Sequence, residues 1–320
     1  MTAKTGKRLE KPSLLRKDHL DITVLSGGPG GEREVSLQSG RTVAEALSRL
    51  GHSVTVSDIS PDDLSALDRP ADFVFIALHG EFGEDGTLQA VLESRGIRYC
   101  GSGAAASRLA MHKVDAKRRC ESAAIPTPRY VHLRKGNAIA GLDGFPIPAV
   151  VKPVSSGSSV DITIARGPDG LKTAAAELLM KYGEALIERF VAGPELTVGI
   201  LGDLALPVCE IRTKREFYDY QAKYFDDDTE YLFDLTLPSL LLDRVRALSL
   251  EAHQALGCRV FSRVDWRVDA DCAEPFLLEV NTIPGFTTHS LLPKAAARVG
   301  IGFDELCQRI VELSLEGPSS

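Results

Sequence analysis

The sequence lacks features that would each have placed it in a distinct class of protein. Its 320 residues carry 37 Lys and Arg against 44 Asp and Glu, a net charge of −7, so no excess of positive charge is available to hold nucleic acid or an anionic membrane. No apolar run approaches the roughly 20 residues that span a bilayer. We therefore expect neither a nucleic-acid nor a membrane partner, and any anionic ligand must be held by local cations.

The six cysteines are scattered, and no two of them have the C-x-x-C spacing of a zinc or redox site. This spacing predicts reduced thiols, and with them a cytoplasmic location. The first 20 residues are basic but contain no apolar stretch of the about 7 to 15 residues that a secretory signal requires. We predict that residues 1–20 form a disordered tail.

The first ordered part of the chain has the pattern of a parallel α/β unit. Residues 21–26, 53–57 and 72–78 are short apolar runs typical of strands, and residues 36–50 place Leu and Ala at helical spacing. This alternation predicts a Rossmann-like parallel sheet with crossover helices. Further helices are predicted at 87–95, 103–110 and 112–123.

In the middle of the chain strands outnumber helices, which predicts an antiparallel or mixed sheet backed by a helix. A polar, aromatic-rich stretch from residue 212 to residue 231 has no periodicity, and we interpret it as a lid or binding loop. The whole pattern predicts a mixed α/β fold, the length predicts two or three domains, and Pro126 and Pro128 mark a domain border. Beyond that border we predict strands at 149–152, 160–165, 185–190, 195–201, 260–268 and 275–280 and helices at 168–182, 239–256, 290–299 and 303–315.

The strongest chemical signal lies near the carboxyl end of the chain. Arg263 and Asp265 are two apart on one predicted strand, and Glu279 and Asn281 are two apart on the next, so each pair shares a face. If the strands form a hairpin, two carboxylates, an amide oxygen and a guanidinium converge. Hard oxygen ligands suit magnesium on a nucleotide, and the arginine suits an anionic oxygen. A surface salt-bridge pair is the alternative, but the apolar neighbours make unpaired charges costly.

A second signal is a strand that delivers Lys152 into a loop of serine and glycine, residues 153–159. The backbone N–H groups and hydroxyls of such a loop can surround phosphate oxygens, and the lysine can meet them as a point charge. The loop does not match a Walker A motif, and serine–glycine turns are common, so alone it is weak evidence.

A third signal is the glycine loop at residues 27–31, which follows the first strand. It fails as a dinucleotide fingerprint because the third glycine position falls on Arg33. Asp58 after the second strand keeps that alternative open. We favour a loop that presents Glu32 to a substrate ammonium group, while capping of the next helix by acidic residues is the structural alternative.

These motifs, taken in their order, resemble those of the D-alanine–D-alanine ligase family from about residue 21 to 310. The matching segments are GEREVSL (31–37), HGEFGEDGTLQ (79–89), VVKPVSSGSSV (150–160), FYDYQAKY (217–224), RVDW (263–266) and LLEVNTIPGFTTHSLLP (277–293).

The resemblance implies an ATP-grasp fold of three domains, at 21–112, 113–212 and 213–320. It implies that ATP lies between the central and C-terminal domains with two magnesium or manganese ions. It implies that ATP phosphorylates the carboxylate of one D-alanine and that the amine of a second attacks the acyl phosphate, for peptidoglycan precursor synthesis. It also implies a homodimer. Because two anions must meet, metals and cationic side chains have to neutralise their charge and align them.

The resemblance also implies roles for individual residues. It implies catalytic roles for Glu32, Ser158, Lys223, Tyr224 and Arg263; substrate contacts at His79, Gly285, Ser290 and Leu291; ATP contacts at Lys113, Lys152, Glu188 and Glu195; and metal ligands at Asp265, Glu279 and Asn281.

Four features depart from the family pattern. Val154 stands where a small or polar residue is more usual, Asp161 replaces a glycine after the serine loop, the turn at 271–275 is longer, and the tail at 1–20 is extra. None of them removes a catalytic position.

Three alternatives remain. A D-alanine–D-lactate ligase has the same fold, but Tyr218, Tyr220, Lys223 and Tyr224 in the predicted lid match the dipeptide-forming type. A non-catalytic ATP-binding relative would be expected to have lost Arg263 or a metal ligand. A nicotinamide enzyme is opposed by the failed glycine fingerprint.

Overall fold

The computed structural model describes residues 19–136, 139–157, 160–213, 229–287 and 290–316. Almost all of the predicted disordered tail and most of the predicted lid therefore lie outside the described residues, as do Ser158, Lys223 and Tyr224.

The N-terminal unit is the predicted parallel sheet. Its strands β1 (Asp21–Gly27), β2 (Ser53–Ile59) and β3 (Phe73–Ile76) pair in the order β2-β1-β3. The central strand is buried along almost its whole length, as its apolar run predicts. The accompanying helices are α1 (Arg33–Arg49), α2 (Thr87–Ser94) and α3 (Ala104–Met111), with a short 3₁₀ helix at Ser65–Leu67.

The central unit is an antiparallel sheet in the order β4-β7-β5-β6. Its helix α5 (Pro168–Tyr182) has the predicted bounds, because proline suits the first turn and Gly183 closes the helix in the left-handed region, at φ 78°. Strand β4 was not predicted from the sequence. The remaining elements are α4 (Lys113–Ser122), β4 (Tyr130–Arg134), a 3₁₀ helix (Ile139–Leu142), β5 (Ala149–Lys152), β6 (Thr163–Ala165) and β7 (Glu184–Arg189).

The third unit is a six-stranded antiparallel sheet in the order β11-β10-β8-β12-β13, with β9 beside β8. Its strands are β8 (Glu195–Leu201), β9 (Leu204–Ala205), β10 (Cys209–Arg212), β11 (Glu230–Leu232), β12 (Phe261–Val268) and β13 (Pro275–Asn281). Its helices are α6 (Ser239–Ala255), α7 (Leu291–Ala297) and α8 (Phe303–Glu316).

The apolar cores cross the boundaries that the sequence predicts between domains. One core joins the N-terminal sheet to α7 and α8, and a second joins α4 to the third sheet and α6. Ion pairing reinforces the first junction, since Arg49 holds Asp304 through two hydrogen bonds of 2.9 and 2.7 Å. Strands β8 to β10 belong to the third sheet although they precede residue 213. The division at 112 and 212 remains a prediction.

All six cysteines are free, and five of them are buried. Within the described ranges, no helix combines the length and the apolar character needed to cross a membrane.

His253 on α6 predicts a pH dependence of stability. Its Nδ1 lies 2.7 Å from the Ser262 hydroxyl on β12, and burial lowers its pKa from 6.5 to about 4. Between these values the unfolded chain binds a proton that the folded chain does not. The stability that neutral His253 contributes is therefore fully present at pH 7 and is lost as the pH falls from about 6.5 towards 4.

We expect this residue to contribute about 3 kcal/mol to the loss of unfolding free energy between pH 7 and pH 4. His253→Gln keeps a hydrogen-bonding side chain but cannot titrate. Measuring the unfolding free energy of wild type and of His253→Gln at the two pH values checks this, because the carboxylates titrate equally in both proteins. An equal loss in the variant would contradict the assignment.

Candidate active site

A pocket lies between the central and third sheets, at the junction where β7 leads into β8. Its walls carry both apolar and charged side chains. The apolar lining includes Val150, Val160, Ile162, Ile164, Phe190, Val191 and Leu278, and the charged lining includes Lys113, Lys152, Glu188, Arg189, Glu195, Asp265, Arg267 and Glu279. Six of these charged residues were predicted to bind ATP or metal, and the fold brings them together.

The carboxyl-terminal cluster is a hairpin, as predicted. In the ladder between β12 and β13, Arg263 lies opposite Asn281 and Asp265 lies opposite Glu279. On the other face of β12, Trp266 is fully buried and donates from its indole nitrogen to Ser249 on α6, at 2.9 Å. The core anchors one face of the strand while the other faces the pocket.

A β-bulge adjusts this hairpin in a way that the sequence did not indicate. After the Asp265–Glu279 pair, the ladder continues with Trp266 opposite Leu277, so Leu278 has no partner in the register. A bulge of this kind re-aims the side chains around it. Leu278 and Glu279 are neighbours, yet both line the pocket, where regular alternation would put them on opposite faces.

Asp265 is the centre of a hydrogen-bond network that joins three strands. Arg263 donates to both of its oxygens at 2.9 and 2.7 Å, the Thr197 hydroxyl donates at 2.6 Å, and the Asn281 amide donates at 3.0 Å. Each carboxylate oxygen therefore accepts two hydrogen bonds. This saturation makes it possible to bury a charge beside the core.

The donor set fits a hard divalent cation. Asp265, Glu279 and Asn281 supply oxygen ligands of the kind that magnesium and manganese prefer. Protein cations already engage both carboxylates, because Arg263 lies on Asp265 and the Lys113 ammonium lies 3.5 Å from Glu279. Both carboxylates therefore already bind positive charge, and a metal ion bound to Asp265 would replace one of the hydrogen bonds that this carboxylate accepts.

Lys113 connects this cluster to the serine loop. Its ammonium donates to the Ser156 carbonyl at 2.7 Å, and its backbone N–H donates to the Val154 carbonyl at 3.0 Å. Val154, which departs from the family pattern, is buried against Val114 and Leu186. Its size therefore serves packing at the start of α4.

Glu188 lines the pocket, is almost fully buried, and lies between two lysines. Its oxygens lie 2.7 Å from the Lys152 ammonium and 2.6 Å from the Lys117 ammonium. Burial acts to raise the pKa of Glu188, but the two lysine charges outweigh it and hold the pKa below its usual value. Glu188 is therefore ionised. Sequence reasoning missed Lys117, because its place one helical turn after Lys113 predicts a shared helix face but not a contact with Glu188.

Glu195 on β8 is held by Arg267 on the neighbouring strand. The guanidinium donates to the Glu195 carboxylate at 2.8 Å and to the Gly193 carbonyl at 2.9 Å. Arg267 follows Arg263 and Asp265 on the same face of β12, so strand alternation could have found it.

Glu32 lies at the N-cap position of α1, but its side chain makes no capping hydrogen bond, which disfavours the capping alternative. A Cβ on Gly80 would overlap its carboxylate, and a Cβ on Gly157 would come within 3.3 Å of it. Glu32 therefore lies where the glycine loop, the HGEFGEDG segment and the serine loop meet. Asp58, which kept the dinucleotide alternative open, is ion-paired with Arg33 instead.

His79 is buried close to this meeting point. Its Nε2 is 3.1 Å from the Ser39 hydroxyl, and its Nδ1 is 3.6 Å from the Glu84 carboxylate. Burial raises the pKa of Glu84, and the charge of Glu32 adds to the increase, while His79 and Arg263 oppose it. Glu84 was missed from the sequence, although it lies in the same motif as His79.

The predicted contacts for a second substrate lie beside α7. Ser290 precedes the helix, and its hydroxyl accepts from the Thr287 N–H at 3.0 Å. A Cβ on Gly285 would come within 2.7 Å of that hydroxyl, so these two residues are adjacent. The Leu291 side chain packs with Cys209 and Ile211 in a small core. Leu291 is therefore placed to offer its backbone rather than its side chain.

Two family models match the chain. One, for the D-ala D-ala ligase C-terminus, matches residues 120–312, and the other, for the D-ala D-ala ligase N-terminus, matches residues 59–102. The first of these covers more than half of the chain.

Similar proteins extend the match over almost the whole length. A D-alanine–D-alanine ligase from Syntrophotalea carbinolica is 44% identical over 292 residues, which are 91% of this chain and 94% of that protein. A crystal structure of D-alanine–D-alanine ligase from Bacillus anthracis complexed with ATP is 34% identical, with a TM-score of 0.81 over 92% of this chain and 97% of that one. A D-Ala:D-Ser ligase from Enterococcus faecalis is 28% identical, with a TM-score of 0.82 over 92% and 98%.

Proposed function

The chain belongs to the D-alanine–D-alanine ligase family, and from that premise we propose that its pocket carries out the ATP-dependent joining of two D-alanines. The chain is an ATP-dependent ligase with an ATP-grasp fold. The observation that carries the proposal is that Lys113, Lys152, Asp265 and Glu279 line one pocket. Arg263 lies two residues before Asp265 on the same strand.

The pocket has the two surfaces that ATP requires. The apolar wall, which includes Val150, Ile164 and Leu278, suits the flat face of adenine. Glu188 can accept a hydrogen bond from the adenine amino group, because each ionised carboxylate oxygen has a lone pair beyond the one that its lysine uses. We propose that Glu195 binds the ribose hydroxyls and that Lys113 and Lys152 bind the phosphates, because all three side chains line the pocket.

The reaction begins with the carboxylate of the first D-alanine. One of its oxygens attacks the γ-phosphorus of ATP, the bond from that phosphorus to the β-phosphate bridging oxygen breaks, and ADP leaves with D-alanyl phosphate remaining. The amine of the second D-alanine then attacks the acyl carbon, gives up a proton, and expels phosphate. A free carboxylate is a poor electrophile, and phosphorylation supplies the leaving group that it lacks.

We propose that Asp265, Glu279 and Asn281 hold magnesium or manganese ions that neutralise the phosphate charge. The protein side chains supply the remaining positive charge. Arg263 is fixed by Asp265 in a two-point contact, so its guanidinium stabilises the developing oxyanion without reorganising during the reaction.

The first D-alanine is proposed to bind with its ammonium group at Glu32, near His79. Glu32 can serve this role because it is directed into the meeting point of three loops instead of capping α1. Ser158 and Tyr224 are proposed to complete this contact, and Lys223 to reach the transferred phosphate. We propose that Gly285, Ser290 and Leu291 receive the carboxylate of the second substrate.

The dipeptide is the building block of peptidoglycan precursors. We further propose that the enzyme works in the cytoplasm as a homodimer. The use of ATP and the six free cysteines support a reducing, nucleotide-containing compartment.

We expect purified enzyme with ATP, magnesium and D-alanine to release one phosphate for each D-alanyl-D-alanine formed. D-lactate, D-serine and L-alanine are the competing substrates to compare, the second because a D-Ala:D-Ser ligase shares the fold. Phosphate release is measured against dipeptide by chromatography. Turnover with another substrate and none with D-alanine would contradict the substrate assignment.

Arg263→Met is expected to lower kcat about 100- to 1,000-fold, because it removes a fixed cation from the developing oxyanion. The KM for ATP should change only a few-fold. Arg267→Met is the matched control, since both arginines lie on β12 and hold a carboxylate. It should raise the KM for ATP about tenfold and spare kcat. Steady-state kinetics separate these effects, and an unchanged kcat in Arg263→Met would refute the oxyanion role.

Gly80→Ala is expected to lower kcat/KM for D-alanine roughly 100-fold, because its Cβ would displace the Glu32 carboxylate. Gly96→Ala is the control, since Gly96 has a similar φ of 66° against 69° but nothing within 4 Å of its Cβ. Both variants should lose about 1 kcal/mol of stability from backbone strain. If the two variants were equally active, Glu32 would not contact the substrate.

A further inference from the structure

Lys117 is a buried lysine for which the reaction described above provides no role. It lies on α4 with 1% of its surface exposed, and its ammonium is 2.6 Å from one oxygen of Glu188. Glu188 and Lys152 line the nucleotide pocket, and Lys117 lies behind them. The other oxygen of Glu188 meets Lys152 at 2.7 Å. Glu188 therefore lies between a lysine that lines the pocket and a lysine that does not.

The presence of Lys117 beside Glu188 needs an explanation. A single lysine would neutralise Glu188, and burial of a further ammonium is costly. Burial does lower the pKa of Lys117, and the charge of Lys152 lowers it further, while Glu188 acts in the opposite direction. The Tyr130 ring, 5.6 Å away, adds a weak attraction. Fold stability alone would be served as well by an apolar side chain at this position.

The geometry of Glu188 supplies the explanation. With one lysine on each oxygen, the carboxylate plane is held at two points. If only Lys152 remained, both oxygens of Glu188 could turn towards it. The carboxylate would then turn away from the part of the pocket proposed for the adenine base. It would also neutralise more of the Lys152 charge, which leaves less to attract the phosphates.

We propose that Lys117 is a positioning residue that holds Glu188 towards the nucleotide base and leaves Lys152 available to the phosphates. It acts through Glu188 and touches neither substrate. This inference rests on the proposed function of the pocket as the ATP site.

The arrangement also bears on the choice of nucleotide. Adenine presents an amino group at the position where guanine presents a carbonyl oxygen. A fixed carboxylate accepts from the first and repels the second. Lys117 therefore contributes to the preference for ATP over GTP, although it lies outside the pocket wall.

The test compares wild type with Lys117→Met and Lys117→Gln in the full-length enzyme. Met has the volume of lysine without the charge, and it leaves the Glu188–Lys152 pair intact, so no buried charge is orphaned. Gln serves as the second variant if Met does not fold, because it removes the charge but retains a donor. Lys172→Met is the control, since Lys172 forms a surface ion pair with Asp143.

We expect Lys117→Met to raise the KM for ATP about 10- to 100-fold, with kcat changed less than about threefold. The ratio of kcat/KM for ATP to that for GTP should fall at least about fivefold, with Gln between Met and wild type. The control should match wild type in every constant. Melting temperatures are measured alongside.

An unchanged KM for ATP and an unchanged preference over GTP, with or without a lower melting temperature, would overturn the proposal and leave Lys117 a purely structural residue. Failure of the proposed function is distinguishable, because wild type would then show no ATP-dependent ligation of D-alanine in the same assay. Binding of a fluorescent ATP analogue gives a readout that does not depend on ligation.

Discussion

The pocket depends on one constraint, which is that a carboxylate buried beside an apolar core must be surrounded by donors. Asp265 meets it with a guanidinium, a hydroxyl and an amide drawn from three neighbouring strands. Glu188 meets it with two ammonium groups. In both cases the partners that make burial tolerable include cations, so the proposed ATP site would draw positive charge from the partners of its own acids.

Charged side chains also connect different parts of the site. Lys113 at the start of α4 contacts both the serine loop and Glu279, so one side chain joins this loop to a proposed metal ligand. In the N-terminal unit, the charge of Glu32 raises the pKa of Glu84 and the charge of Arg263 lowers it. These contacts link the proposed amino-acid end of the site to the proposed nucleotide end, and the N-terminal sheet shares an apolar core with α7 and α8.

Elements with local signals were predictable from the sequence. Helix α5 begins at a proline and ends before a left-handed glycine, and its predicted bounds are those of the structure. Strand β4 was missed because it follows two prolines and is only partly apolar, so its pairing with β7 decides it. Asp161 could not be interpreted from the sequence either. Its φ is 55°, and its side chain is bonded to Lys181 and Tyr182 at the end of α5, a contact between segments that the sequence does not reveal.

The sequence by itself determined the family, the parallel and antiparallel character of the sheets, and the residue types that the chemistry needs. Those properties follow from hydrophobic period, turn residues and motif order, which are local along the chain. The structure was needed to show that a bulge brings both Leu278 and Glu279 to the pocket and that Lys117 lies against Glu188. Each of these depends on strand register or on contact between distant segments, and neither is encoded in the spacing of neighbouring residues.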